Sequence, residues 1–237
     1  RVLYGTSVSP GTKPQTRVWD AATSAWSLAF PTAGTMSGVK RFMVHDMEPS
    51  GNNEVCLFSS DGDGKITIEA MRFDGATWAL AWGDNLISYN TNYRRQFDFV
   101  YESLSGNGIA VMGNGTSIPQ YRVLSSGNWT APADVFSTQI NANTVEWVEL
   151  EAQPGSNRVA LVYADSGSDL HAVIWDGNAW LESTTTQTFT NTLRTIQQKA
   201  YDAAFESLSG NLLVSWGDTS GSQLYYATLA GNSTQWS

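Results

Sequence analysis

The chain has 237 residues, 41% apolar and 15% charged, with a formal net charge of −9. That apolar share supports a sizeable core and excludes a disordered chain, while 13 scattered Lys and Arg residues exclude a nucleic-acid partner, which needs clustered cations. No apolar run reaches the roughly 20 residues a membrane helix needs, and the lone thiol, Cys56 inside EVCLF, excludes an internal disulfide and reads as a small buried hydrophobe.

In chain order, residues 1–28 hold RVLYG, QTRVW and a run opening at Trp26, which read as three short strands between turn clusters. Residues 29–80 hold RFMVHDMEPSG, the hairpin EVCLFSSDGDGKITIEAMRF, and DGATW. Residues 81–130 repeat the order with FDFVYESLSG, GIAVMGNGTSIPQYRVL and SSGNW. Residues 131–183 do so with WVELEAQPGS, RVALVYADSGSDLHAVIW and DGNAW. Residues 184–237 open on a polar linker (STTTQTFTNTLRTIQQ, beginning at Ser183) and continue with YDAAFESLSG, LLVSWGDTSGSQLYYATL and AGNSTQW. No stretch sustains a 3.6-residue period, so almost no helix is expected.

Each unit is therefore about 50 residues, with four antiparallel strands whose last opens on a tryptophan after a tight turn. The series is Trp26, Trp78, Trp129, Trp180 and Trp236, spaced 52, 51, 51 and 56 residues apart. Alternate units are closer kin. The hexapeptide ESLSGN recurs at Glu102–Asn107 and Glu206–Asn211, 104 residues apart, and Pro49 and Pro154 mark the other pair. Such an array predicts an all-β, β-propeller-like chain, residues 1–237 as one repeat domain of about five units. Two β-sandwich domains of about 104 residues each, matching the longer repeat, are the alternative. The recurring tryptophans are expected as wedges between blades. The first unit lacks one strand, and Arg1, Val2, Leu3 and Tyr4 read as an edge open to strand addition from another chain. The chain starts at Arg rather than Met, as a processed or trimmed form would.

The pattern YRVLSSGNWTAP, with SGNLLVSWGD in the last unit, resembles repeats of secreted and cell-surface propeller-like proteins of bacteria and archaea. The stretch DGDGKITIEAMRFDGATW, Asp61–Trp78, is similar to the repeats of fucose-binding lectin propellers. That second resemblance implies a sugar pocket between blades, built from an Arg, a Glu and an aromatic in most units. Glu69 is the matching carboxylate, and the other units carry Gln120, Ala172 and Tyr226 in that region.

Site chemistry is sparse. Asp61, Asp63, Gly64 and Ile66 sit at calcium-loop offsets, but Glu69 falls one position early for an EF-hand and the flanks read as strands. His45 and His171 lie in different units without companions at zinc-ligand spacing. Asp98 and Glu102 recur as Asp202 and Glu206. Repetition of that kind points to structural positions lining a channel or blade contacts, since a catalytic pair breaks the symmetry. No enzyme activity, cofactor or metal is expected. Three Asn-x-Ser/Thr triplets, at Asn114, Asn128 and Asn232, are glycosylation acceptors in predicted turns. Trp19, Trp82 and Trp216 fall outside the main series and are the candidates for stacking on a ligand. Low charge and Ser/Thr/Asn richness point to an extracellular or cell-surface, non-enzymatic structural or adhesive protein that assembles with copies of itself. A carbohydrate-binding propeller with glycan partners is the alternative.

Overall fold

In the computed structural model, residues 2–4, 15–27, 30–31, 39–62, 65–86, 94–194, 198–219, 221 and 223–237 are described, which leaves Arg1 and the turn residues Asp63 and Gly64 outside. Strands dominate, and the one α-helical segment among the described residues is the turn Glu182–Thr185. The chain forms two compact units, residues 1–92 and 93–237.

In the first unit, Val2–Tyr4, Gln15–Arg17 and Phe30–Pro31 make a three-stranded antiparallel sheet, and Trp19–Asp20 pairs with Ala25–Trp26 in a hairpin. Among the described strands, Val2–Tyr4 pairs with Gln15–Arg17 and lies at the sheet edge. The second sheet is a regular meander of Val39–Met47, Asn53–Gly62, Lys65–Asp74 and Trp78–Leu86. Gly62 pairs with Lys65, which places strands on both sides of the calcium-like stretch, whose Asp63 and Gly64 lie outside the described residues. Cys56 is fully buried with Phe58, Met71, Phe73 and Trp78.

The second unit stacks three sheets. The third sheet runs Phe97–Tyr101, Gly108–Met112, Gln120–Ser125, with Asn128–Trp129 and Ala133–Asp134 both pairing with Gln120–Ser125. The fourth runs Val145–Ala152, Val159–Asp165, Leu170–Trp175 and Gln187–Thr190. The fifth runs Tyr201–Phe205, Leu212–Gly217 and Leu224–Leu229. Part of the stretch read as a polar linker is thus strand: Gln187–Thr190 completes the fourth sheet after the helical turn. Its polar composition hides it, because an outer strand needs little burial.

The tryptophan series has a common cause in the backbone. In each unit the tryptophan pairs across a tight turn with the end of the preceding strand: Trp19 with Trp26, Phe73 with Trp78, Leu124 with Trp129, Trp175 with Trp180 and Leu229 with Trp236. Asp74 and Asp176 close their turns alike, each Oδ1 accepting two backbone N–H groups. Gly177 follows with φ of +102°, where a Cβ would lie 2.8 Å from Asn157 Cβ.

Burial separates the sheets. The continuous apolar runs VALVYAD and LHAVIW are buried at every position, because the fourth sheet is covered on both faces. One face packs Val148, Leu161, Val173 and Trp175 against Ile109 and Val111. The other packs Ala160, Val162, Ala172 and Ile174 against Leu212, Val214 and Trp216. Each fully buried Leu or Ile contributes about 1.5–3 kcal/mol. The fifth sheet alternates instead, with Leu212, Val214 and Trp216 buried and Leu213 exposed.

Candidate functional site

The first strands of the third, fourth and fifth sheets bring charged side chains together. Arg95 Nη1 lies 3.1 Å from Asp98 Oδ1, and 104 residues on Lys199 Nζ lies 2.9 Å from Asp202 Oδ1. These two pairs sit at the same repeat position. Between them come two contacts that do not repeat, Lys199 with Glu149 and Arg94 with Glu146. A β-bulge between Val145 and Trp147 leaves Glu146 outside the ladder, in reach of Arg94. Tyr201 lies buried in the field of Glu149, Arg95, Asp98 and Asp202. Its hydroxyl donates to Val162 O at 3.3 Å, and Lys199 Nζ stands 5.3 Å from its ring centre.

Burial dominates the electrostatics. It pushes the Glu149 carboxyl up to about 8 against the pull of Lys199. It also raises Asp98, although Arg95 and the backbone N–H of Leu150, 3.0 Å from Oδ2, oppose the shift. Burial works against the Lys199 ammonium, but Asp202 and Glu149 hold it above the ordinary lysine value. Asp202, exposed, is held below the usual carboxylate range by its bond from Lys199. One oxygen of each inner carboxylate, Glu146 Oε2 and Glu149 Oε2, is buried without a hydrogen-bond partner among the described residues. The neighbouring cations Arg94, Arg95 and Lys199 stay partly solvent-accessible.

The two ESLSGN turns share a backbone and differ in surroundings. In both, the first Glu N–H donates to the Asn carbonyl at 2.7 Å, and the glycine has positive φ, +72° at Gly106 and +69° at Gly210. Glu102 is fully buried, and Trp175 Nε1 donates to its Oε1 at 2.7 Å. Ser103 Oγ and the N–H groups of Leu104 and Ser105 bond to the facing turn at Gly155, Ser156 and Asn157. Glu206 is exposed and accepts hydrogen bonds within its own turn, from the N–H groups of Leu208 and Ser209 and from the Ser209 side chain. The expected equivalence of the two glutamates therefore holds for the backbone alone. The fourth sheet covers the first turn, whereas Glu206 in the second is exposed.

His171 does have companions, contrary to the reading of its neighbours along the chain. Its Nε2 lies 3.1 Å from Asp165 Oδ2, and Asp169 completes the group of three potential ligands. The amide of Asn141 donates to both carboxylates, at 2.7 and 2.9 Å. The group pins the loop before the fourth sheet.

Of the tryptophans singled out for stacking, Trp216 is buried between the rings of Phe189 at 5.2 Å and Tyr225 at 6.1 Å, so neither face is open to a ligand. Trp82 is half-buried on the last strand of the second sheet. Trp19 is exposed and packs edge-on against Trp26, which is equally exposed and is not the wedge its place in the series suggests. Asn128 and Asn232 are exposed, whereas the half-buried Asn114 accepts hydrogen bonds from the N–H and hydroxyl of Thr116. Glu69, the carboxylate matched to the lectin repeats, is buried.

No protein-family model and no curated protein matches the sequence. Solved structures do. A lectin of Burkholderia pseudomallei superposes with a TM-score of 0.58 at 13% identity, over 95% of this chain and 65% of that one. AofleA from Arthrobotrys oligospora does so with 0.55 at 11% identity, over 97% and 66%. The Aleuria aurantia lectin, described as a six-bladed β-propeller with a novel fucose recognition mode, gives 0.51 at 15% identity, over 99% and 75%. The chain spans about two thirds of the length of the first two. At these identities the likeness shows the fold, that of β-propeller blades.

Proposed function

We propose that this chain is a non-enzymatic carbohydrate-binding module built from β-propeller blades and working outside the cell. The observation that carries the reading is the row of partly exposed cations, Arg94, Arg95 and Lys199, each held in place by a carboxylate of the inner strands. Sugar hydroxyls are donors and acceptors at once. A sugar hydroxyl can accept from the partly exposed Lys199 or Arg94. The cluster already pairs its charges, Arg94 with Glu146, Arg95 with Asp98, and Lys199 with Asp202, while burial favours the neutral form of Glu149. That balance suits a neutral sugar better than an anionic one. Two of the propellers of like fold carry the name lectin, and one is described by its fucose recognition, which supports a neutral deoxy-sugar among the ligands.

A glycan array tests this directly, with neutral fucosylated, galactosylated and mannosylated probes beside sialylated and sulfated ones. Retention of neutral glycans, lost in Lys199→Gln, is expected. A folded chain that retains none of them overturns the proposal.

A further inference from the structure

Within the fourth sheet three side chains form a hydrogen-bonded chain that the inner-strand cluster does not use. It begins at Asp165, the last residue of Val159–Asp165, passes through His171 on the next strand and ends at Thr188 on the last. Asp165 Oδ2 lies 3.1 Å from His171 Nε2, and His171 Nδ1 lies 2.9 Å from Thr188 Oγ1. The strand pairing sets this up. Leu170 pairs with Thr190 and His171 with Thr188, so a β-bulge falls at Phe189. In an unbroken ladder Phe189 would face His171. The extra residue brings the hydroxyl there instead.

The neighbours fix the direction of each hydrogen bond. Asn141 Oδ1 accepts from the N–H of Asn143 at 2.8 Å, which turns its NH2 toward the hairpin. Both amide hydrogens go to carboxylates, to Asp165 Oδ2 and Asp169 Oδ2. Asp165 Oδ1 accepts from the N–H groups of Gly167 and Asp169, at 2.8 and 3.2 Å. Burial alone would raise the Asp165 carboxyl, but the bonds from His171, Asn141 and the Asp169 N–H hold it below the ordinary value. An ionised carboxylate only accepts, so His171 Nε2 carries the proton. In the neutral imidazole Nδ1 then presents a lone pair, and the Thr188 hydroxyl donates to it. The imidazole is buried and packs on the Tyr163 ring at 4.8 Å, whereas Thr188 is exposed. A hydroxyl on an imidazole whose far nitrogen is held by a buried carboxylate is the arrangement that activates a nucleophile.

We infer that the Thr188 hydroxyl is a nucleophile that takes an acyl group from an activated ester, with His171 as its base and Asp165 as the positioning residue. Thr188 Oγ bonds to the ester carbonyl carbon as its proton passes to His171 Nδ1. Collapse of the tetrahedral adduct breaks the bond from that carbon to the ester's bridging oxygen, and His171 returns the proton to the departing phenol or alcohol. The product is one acyl group per chain, as an ester of Thr188. None of the three residues belongs to the Arg94–Lys199 cluster, so the inference is independent of the glycan reading.

The full chain incubated with p-nitrophenyl acetate, then mapped by mass spectrometry with and without hydroxylamine, tests it. Hydroxylamine cleaves an ester on a hydroxyl and leaves amides on lysines. Thr190 and Thr192 are the internal comparison, because their hydroxyls donate to Asp218 Oδ2, at 2.8 and 2.7 Å, rather than to an imidazole. One hydroxylamine-labile acetyl is expected, on Thr188 and not on Thr190 or Thr192. Thr188→Ser is expected to keep it, Thr188→Val to lose it, and Asp165→Asn to form it at least about tenfold more slowly. Circular dichroism and the thermal midpoint check that each variant folds. Wild-type mapping and the two variants at 188 decide the point even where Asp165→Asn is destabilised. Folded wild type with no labile acetyl on Thr188 overturns the inference. So does equal labelling of Thr190 or Thr192, or a folded Asp165→Asn variant that reacts as fast as wild type.

Discussion

The indole nitrogen of Trp175 donates a 2.7 Å hydrogen bond to Glu102, joining the hairpin of the fourth sheet to the first turn of the third. Glu102 is fully buried, and its other oxygen accepts from Ser105. Removing the carboxylate strands a buried N–H, which costs about 1–3 kcal/mol. Glu102→Ala is therefore expected to lower the free energy of chemical unfolding by that amount. Glu206→Ala, in the same hexapeptide, is expected to change it by less than about 0.5 kcal/mol, as surface substitutions do. Equal losses at the two sites would contradict the unequal burial.

A parallel contrast holds for leucines. Leu161 is fully buried inside the doubly covered fourth sheet, while Leu213 of the fifth is exposed. Leu161→Ala is expected to cost about 2–5 kcal/mol through the cavity it leaves. Leu213→Ala is expected to cost under about 0.5 kcal/mol. Urea unfolding measures both.

The turn before Trp180 offers a backbone test. Gly177 holds φ of +102°, and its Cα faces Asn157. Gly177→Ala is expected to destabilise by more than about 1 kcal/mol, because an L side chain is strained there and meets Asn157 as well. Gly155, also at positive φ but with nothing within 4 Å of its would-be Cβ, should suffer the backbone strain alone. The thermal midpoints of the two variants rank accordingly.

Glu149 sets a pH dependence. Its carboxyl is raised from the ordinary 4.5 to about 8 by burial, so the folded chain binds that proton more tightly than the unfolded chain does. The stability this proton confers is complete below about pH 4.5 and is lost as pH rises to about 8. Glu149→Gln keeps the shape without the titration. The fall in unfolding midpoint between those pH values is expected to be shallower in the variant, and parallel curves would show that Glu149 stays ionised when buried.

The hairpin tryptophans were legible in sequence because their cause is local. A turn residue such as Asp74 or Asp176, a glycine and a following aromatic sit within a few positions of one another. Burial of the fourth sheet was legible too, since VALVYAD has no polar alternation to spend on solvent until its last residue. What stayed hidden was what lies across from each residue. Glu102 and Glu206 sit in identical hexapeptides, and only the fourth sheet, more than 40 residues further on, makes them different. His171 meets Asp165 across a hairpin and Asn141 across a loop, spacings that no ligand motif marks. Trp216 looked like an outlier of the tryptophan series, yet Phe189 and Tyr225, from strands on either side of its own in sequence, close over both its faces. The Glu146 bulge has no residue signature, because the register shift arises from pairing rather than from composition.

The most direct test of carbohydrate recognition at the inner strands is the affinity of one array-selected neutral glycan, measured by titration calorimetry on wild type, Lys199→Gln and Arg94→Gln. Lys199 and Arg94 are partly exposed cations held in place by carboxylates of the inner strands. Each variant is expected to bind at least about tenfold more weakly, the loss of one charge-assisted hydrogen bond, with its circular dichroism unchanged. Wild-type affinity in both folded variants would contradict sugar binding at this cluster.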